Sequence, residues 1–349
     1  MPATPFKATN GVTTQTPAEV HLEDPDDAIA WWTVAPGRGE FRSETLPAPS
    51  DGQATVRTLW TGVSRGTETL VARGEVPTSE RERMRAPFQA GDFPFPVKYG
   101  YLNVGTVDRG PAPLRGRTVF ALYPHQSRFS VAAEALVVVP DAVPPRRAVL
   151  AGAVETAINV LWDASPAIGD RIVIVGAGMI GCAIARVARG IPGAEVTLVD
   201  VDPAKAPIAA ALGVGFTLAA DSPPEADAVI EASGSGAGLQ LALQLAPTDG
   251  EVVVASWYGS GAVALELGAD FHSRRIAIRS SQVGAVSPRV RSRRTTRDRL
   301  ILALRLLEDP AFDALLGGRS SWRELPEITA ALAAGSAGDL CQTIDWSAP

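Results

Sequence analysis

The chain has 349 residues, of which 46% are hydrophobic and 20% charged, with a formal net charge of −6. These proportions exclude disorder for most of the length and suggest two domains, packed together or interleaved. The acidic balance gives no general affinity for nucleic acid or an anionic membrane. The longest apolar stretch, 172–185, is too short to span a bilayer. Residues 1–27 are polar, with no leader-like apolar run, so a cytoplasmic protein is expected. Cysteine occurs only at Cys182 and Cys341, and histidine only at His21, His125 and His272. A disulfide framework is thereby excluded, as is a zinc lobe built from clustered Cys or His.

In chain order, residues 1–27 read as a loose Pro/Thr-rich arm. From Ala28 come short apolar runs, AIAWWTVA, ATVRTLWTGV, LNVGTVD, TVFALY and ALVVVP, bounded by Gly, Pro, Asp or Asn. They predict a compact, mainly β unit with few helices before residue 145. Near 147 the pattern changes. Val149, Val154, Ile158 and Leu161 recur at helical spacing. Strands and helices then alternate: RIVIV with MIGCAIARVARG, EVTLVD with PAKAPIAAALG, DAVIEASG with GLQLALQLAP, then EVVVASWYG and RIAIRSSQVG. Such alternation predicts βαβ units and a doubly wound parallel sheet, hence an α/β fold. After Pro288 follow an Arg-rich segment, a helix around 297–308 and a short mixed tail.

The strongest chemical signal is Gly176-Ala177-Gly178-Met179-Ile180-Gly181. It follows an apolar strand, opens a helix, and precedes a strand ending in Asp200, the context of a dinucleotide-binding fingerprint. Gly176 permits the turn, Gly178 the approach of a pyrophosphate, and Gly181 close helix–strand packing. The backbone of Met179 and Ile180 opens the helix whose N-terminus attracts the anion. Asp200 would accept hydrogen bonds from ribose hydroxyls and repel a 2′-phosphate. Val201 follows it where a phosphate site would carry Arg, although Lys205 is a nearby cation. NAD is expected rather than NADP. The loops at 232–235 and 256–259, including Ser233 and Tyr258, should rim the same crevice.

Three further segments accompany this fingerprint: GVSRGTETL at 62–70, KYGYLNVGTV at 98–107 and LAGAVETA at 150–157. In order and spacing the chain resembles the medium-chain dehydrogenase/reductase superfamily over about 28–345. The resemblance implies a GroES-like catalytic domain, mainly β, at 28–151 and 289–349, around a Rossmann domain at 152–288. It also implies a homodimer, joined along the edge strand RIAIRSSQV. In the zinc-dependent branch the three segments carry the metal ligands. Here those positions read Ser64, Tyr101 with Leu102, and Gly152, and the four-Cys lobe is absent. The chain thus resembles a zinc-independent member. The pairing of SxGTE with GYxxVG is similar to a branch that includes the bacteriochlorophyllide hydroxyethyl dehydrogenases.

Without a Lewis acid, donors or a general acid must polarise a carbonyl during hydride transfer. Ser64 and Tyr101 should face the cleft. Tyr101 is the leading proton donor, its phenol pKa of about 10 open to lowering by Lys98. Glu155 is a second candidate acid/base, and His125, beside Gln126, a third. Glu68 is read instead as pairing with Arg65. Trp257 and Tyr258 could wall the nicotinamide pocket, and His272 could reach the cofactor end. Nine arginines between Arg274 and Arg299 could bind an anionic substrate or form a solvated face. The expected function is an NAD(H)-dependent, zinc-independent oxidoreductase for a small alcohol or carbonyl substrate. The alternatives are an NADPH-dependent enone reductase, an epimerase with tightly held NAD, and a non-catalytic dinucleotide sensor.

Overall fold

The computed structural model describes residues 13–15, 26–221, 226–336, 338 and 340–347. The fold is α/β, with three sheets among the described residues. One is a six-stranded parallel sheet in the order Gly215–Leu218, Glu195–Asp200, Arg171–Val175, Ala228–Glu231, Glu251–Val254, Ala277–Ser280. The chain starts in the middle, winds to one side, then returns and winds to the other. This reversal opens a crevice at the carboxyl ends of Arg171–Val175 and its neighbours, the place where such sheets take ligands.

The run Ile172–Val175 is apolar at every position because both faces of this strand are covered. Ile172 and Ile174 pack in the core that includes helices Ala151–Ala164 and Met179–Ala188. Val173 and Val175 face the other way, onto helix Gly236–Leu245. Among the described residues no helix is long and apolar enough to cross a membrane.

The other two sheets form the mainly β part. Asp27–Ala35 pairs with Arg38–Thr45, which also pairs with Thr13–Gln15 of the expected arm. The rest of that arm lies almost wholly outside the described residues. In the second sheet the 12-residue strand Gln53–Ser64 is central, pairing with Asn103–Arg109, Arg128–Ala132 and Cys341–Asp345.

Several elements differ from expectation. The mixed tail is a sheet component: Cys341–Asp345 lies between Gln53–Ser64 and Leu316–Ser321. Ser320, Cys341 and Thr343 are buried there, so tertiary pairing, not local pattern, makes these strands. A helix absent from the expectation, Arg65–Arg73, starts where Gln53–Ser64 ends and closes at Gly74 in the left-handed region. Its Gly66, Thr67 and Thr69 weaken the helical signal. ALVVVP yields only the short strand Val137–Val138.

Candidate functional site

The turn after Val175 lies at the carboxyl end of its strand, where the crevice opens. Gly176 has φ +107, and a Cβ there would lie 2.5 Å from the backbone nitrogen of Ser233. A Cβ on Gly181 would overlap the carbonyl oxygen of Gly176. Both positions therefore require glycine. Gly178 is the N-cap of Met179–Ala188, has no side-chain cap, and faces open space. Met179 and Ile180 pack their side chains on the core. Their N–H groups remain for an anion at the helix N-terminus. Asp200 ends its strand beside this turn. Its Oδ2 accepts from Ala177 N at 2.6 Å and its Oδ1 from Asp202 N at 3.0 Å. It thus braces the glycine turn it was expected to complement. Lys205 lies 3.8 Å from Asp202.

Ser233 and Tyr258, expected as cofactor contacts, turn their hydroxyls elsewhere. Ser233 Oγ donates to Glu231 Oε1 at 2.6 Å, and Tyr258 Oη donates to Glu231 Oε2 at 2.8 Å. Sequence reasoning missed Glu231. Its only signal was a carboxylate inside the apolar strand DAVIEASG.

Ser64, Tyr101 and Gly152 come together from three distant segments. The Ser64 and Thr67 side chains lie close enough to the Tyr101 hydroxyl to lower its pKa. A Cβ on Gly152 would lie 3.7 Å from the Tyr101 ring and would overlap Leu102 Cδ2. Leu102 therefore fills the space a side chain at 152 would need. Thr67 joins this group only because Arg65–Arg73 is helical. Among the described residues no group of three or more His, Cys, Asp or Glu is placed to hold a metal ion.

The protonation expected of Tyr101 is corrected. Burial pushes its phenol up to about 12, although the Ser64 and Thr67 hydrogen bonds pull it down. Lys98 does not lower it. The Lys98 ammonium is buried and donates to Glu44 and to Gln126 Oε1 at 2.7 Å. Desolvation lowers its pKa against the attraction of Glu44.

The Arg65–Glu68 clip is also corrected. Arg65 donates to the carbonyl of Gly338. Glu68 Oε1 accepts from Ser64 N at 2.7 Å, and its Oε2 meets His125 Nε2 at 3.0 Å. His125 Nδ1 lies 2.7 Å from Thr61 Oγ1. With both nitrogens engaged and 3% exposure, His125 is not a solvated loop residue. It reaches Ser64 only through Glu68. Beside the pair lies a cavity of about 20 Å³ bordered by Trp31, Tyr99 and Thr329, room for roughly one water.

Glu155 is not brought to this cluster. It is buried in the helix Ala151–Ala164, 3.4 Å from Arg299 Nε of helix Thr296–Leu306. Desolvation raises its pKa to about 7, with Arg299 opposing. Arg299 also donates to Asn159 Oδ1 at 2.6 Å and to the carbonyl of Val283, so the pair holds helices and a loop together. Other arginines of the cluster are likewise engaged: Arg274 with Asp270, Arg275 with Asp249, Arg279 with Glu251, and Arg297 with the carbonyl of Glu134. His272 is exposed.

No protein-family model matches the chain, and no curated protein does. Solved structures do. L-idonate 5-dehydrogenase from Escherichia coli superposes with TM-score 0.74 at 14% identity, over 96% of this chain and 100% of its own. Acetophenone reductase from Geotrichum candidum, in complex with NAD, gives 0.73 at 17% identity over 93% and 98%. 2R,3R-butanediol dehydrogenase from Bacillus subtilis gives 0.72 at 15% identity over 91% and 99%. The chain thus has the fold of the alcohol and polyol dehydrogenases along nearly its whole length.

Proposed function

We propose that the chain is an NAD(H)-dependent oxidoreductase that interconverts an alcohol and a carbonyl without a catalytic zinc. The cofactor half would be 152–288 and the substrate half 28–151 with 289–349, the pair acting as a homodimer through the exposed edge strand Ala277–Ser280. The observation that supports the reading is the grouping of the Ser64, Thr67 and Tyr101 side chains in a chain that also carries a glycine turn suited to a dinucleotide. The neighbours named above, two dehydrogenases and a reductase, support the same reaction class.

A zinc ion does not suit these residues. Hydroxyls and a glycine are poor ligands at neutral pH. Leu102 occupies the space beside Gly152, and the nearest carboxylate, Glu68, is engaged by Ser64 N and His125.

NAD(H), when bound, supplies the hydride donor or acceptor. The N–H groups at the start of Met179–Ala188 would hold its pyrophosphate, and Asp200 would receive the ribose hydroxyls. Tyr101 stays protonated below about pH 12, so it serves as a neutral hydrogen-bond donor to a carbonyl oxygen. Ser64 and Thr67 orient that hydroxyl and can pass a proton to it. His125 and Glu68 stabilise the backbone under Ser64. The enone reductase remains the second reading, since a neutral Tyr101 would polarise an enone oxygen equally well.

A fluorescence titration with NADH and NADPH tests the assignment. NADH should bind at least ~10-fold more tightly, equivalent to about 1.4 kcal/mol, and Asp200→Ala should erase that preference. A preference for NADPH would overturn the Asp200 assignment and promote the enone reading.

A further inference from the structure

Glu231 stands at the carboxyl end of Ala228–Glu231, paired in register with Val175 just before the glycine turn. It is 0% exposed, yet its carboxylate is saturated. Oε1 accepts from Ser233 N at 2.6 Å, Ser233 Oγ at 2.6 Å and Gly234 N at 3.1 Å. Oε2 accepts from Tyr258 Oη at 2.8 Å. A buried carboxylate is sustained by such a complete set of donors.

The donors come from two loops. The first, at 232–234, is the one that Gly176 packs against. The second follows Glu251–Val254 and carries Tyr258. The loops are also joined by Gly234 N donating to Ser256 Oγ at 2.9 Å. The second loop reaches the β part of the molecule. Trp257 packs on a cluster of Val71, Phe93, Val97 and Tyr99, on which Tyr101 also rests. Gly259, at φ +60, is so near Leu70 that a Cβ would lie 2.8 Å from it.

We infer that Glu231 is a positioning residue that couples the dinucleotide turn to the substrate side of the cleft, by holding Ser233 and Tyr258 at once and thereby seating Trp257 on the cluster where Tyr101 also rests. This rests on the dinucleotide reading above. A displacement of the Gly176–Ser233 contact is passed through the carboxylate to Tyr258, and from there to the neighbouring Trp257. Burial and the Glu231 charge push the Tyr258 phenol well above its ordinary pKa, so the link does not open by titration near neutrality.

The test uses the full chain with NADH as probe, its Kd measured by calorimetry. The NADH-induced change in tryptophan emission is recorded for the wild type and for Trp257→Phe, and their difference is the Trp257 share. Tyr258→Phe removes one hydroxyl and should leave the Kd within about threefold while reducing the Trp257 share at least ~fivefold. Glu231→Gln should reduce that share too, because its amide has one acceptor oxygen for the donors of two loops, and weaken NADH about tenfold as the charged acceptor is lost. A full Trp257 share in both variants overturns the coupling and leaves the proposed function standing. A wild type that binds no NADH overturns the function, and the coupling with it, before any variant is compared.

Discussion

The glycine turn and the hydroxyl cluster are built by different means. The turn from Gly176 to Met179 offers mainly backbone: a glycine at positive φ, a helix start without a cap, and a strand-end carboxylate bonded to a main-chain N–H. In the hydroxyl cluster, Ser64, Thr67, Tyr101 and Leu102 offer side chains drawn from segments tens of residues apart. A backbone site depends on the absence of side chains and tolerates little added volume. A side-chain site rests on packing from many elements, and single groups can be removed with the frame left intact.

The largest expected effect falls on the backbone side. Gly181→Val would drive its side chain into the Gly176 carbonyl and should cost roughly 3 kcal/mol in urea unfolding, with NADH binding lost. Stability within about 0.5 kcal/mol of the wild type would break the contrast, since the turn would then accept volume.

The interior beneath the site comes next. Glu155 has a pKa of about 7 in the fold against an ordinary 4.5. A carboxyl that binds its proton more tightly when folded contributes stability that is complete below about pH 4.5. That contribution is lost as pH rises through about 7, roughly 3 kcal/mol in all. Glu155→Gln should therefore flatten this part of the stability profile, measured by urea midpoints across pH 4–8. An unchanged slope in the variant would place the titration elsewhere.

The smallest structural effect, and the most selective one, belongs to the hydroxyl cluster. Tyr101→Phe should lower carbonyl reduction about 100-fold in kcat, or about 2.7 kcal/mol, with unfolding shifted by no more than ~1 kcal/mol. Equal losses in stability and activity would mean that the hydroxyl serves the fold and not the reaction.

Legibility in the sequence follows the same division. The turn was readable because its determinants, three glycines, an apolar strand and Asp200, lie within 30 residues and act through local sterics. Ser64, Tyr101 and Gly152 were readable only by resemblance, and the structure does bring them together. Their immediate partners were not readable. Thr67 depends on a helix with weak propensity, and the fit of Leu102 to Gly152 joins two sheets and a helix. Glu155 looked like a cleft acid in GAVETA, but the rotation of its helix turns it to Arg299, 144 positions away. The phenol of Tyr101 moved opposite to expectation because burial raises it, while Lys98, three residues off, lies against Glu44.

By itself, the sequence determined the α/β class, the order of the parallel strands' helices and the glycine turn, all consequences of periodicity and backbone sterics that act over short distances. Only the tertiary structure decided which side chains meet: the return of Cys341–Asp345 to Gln53–Ser64, the pairing of His125 with Glu68, and the hold of Glu231 on two loops. These depend on burial and on hydrogen bonds between segments far apart in the chain, where a group's environment, and so its charge and its partner, is set by folding.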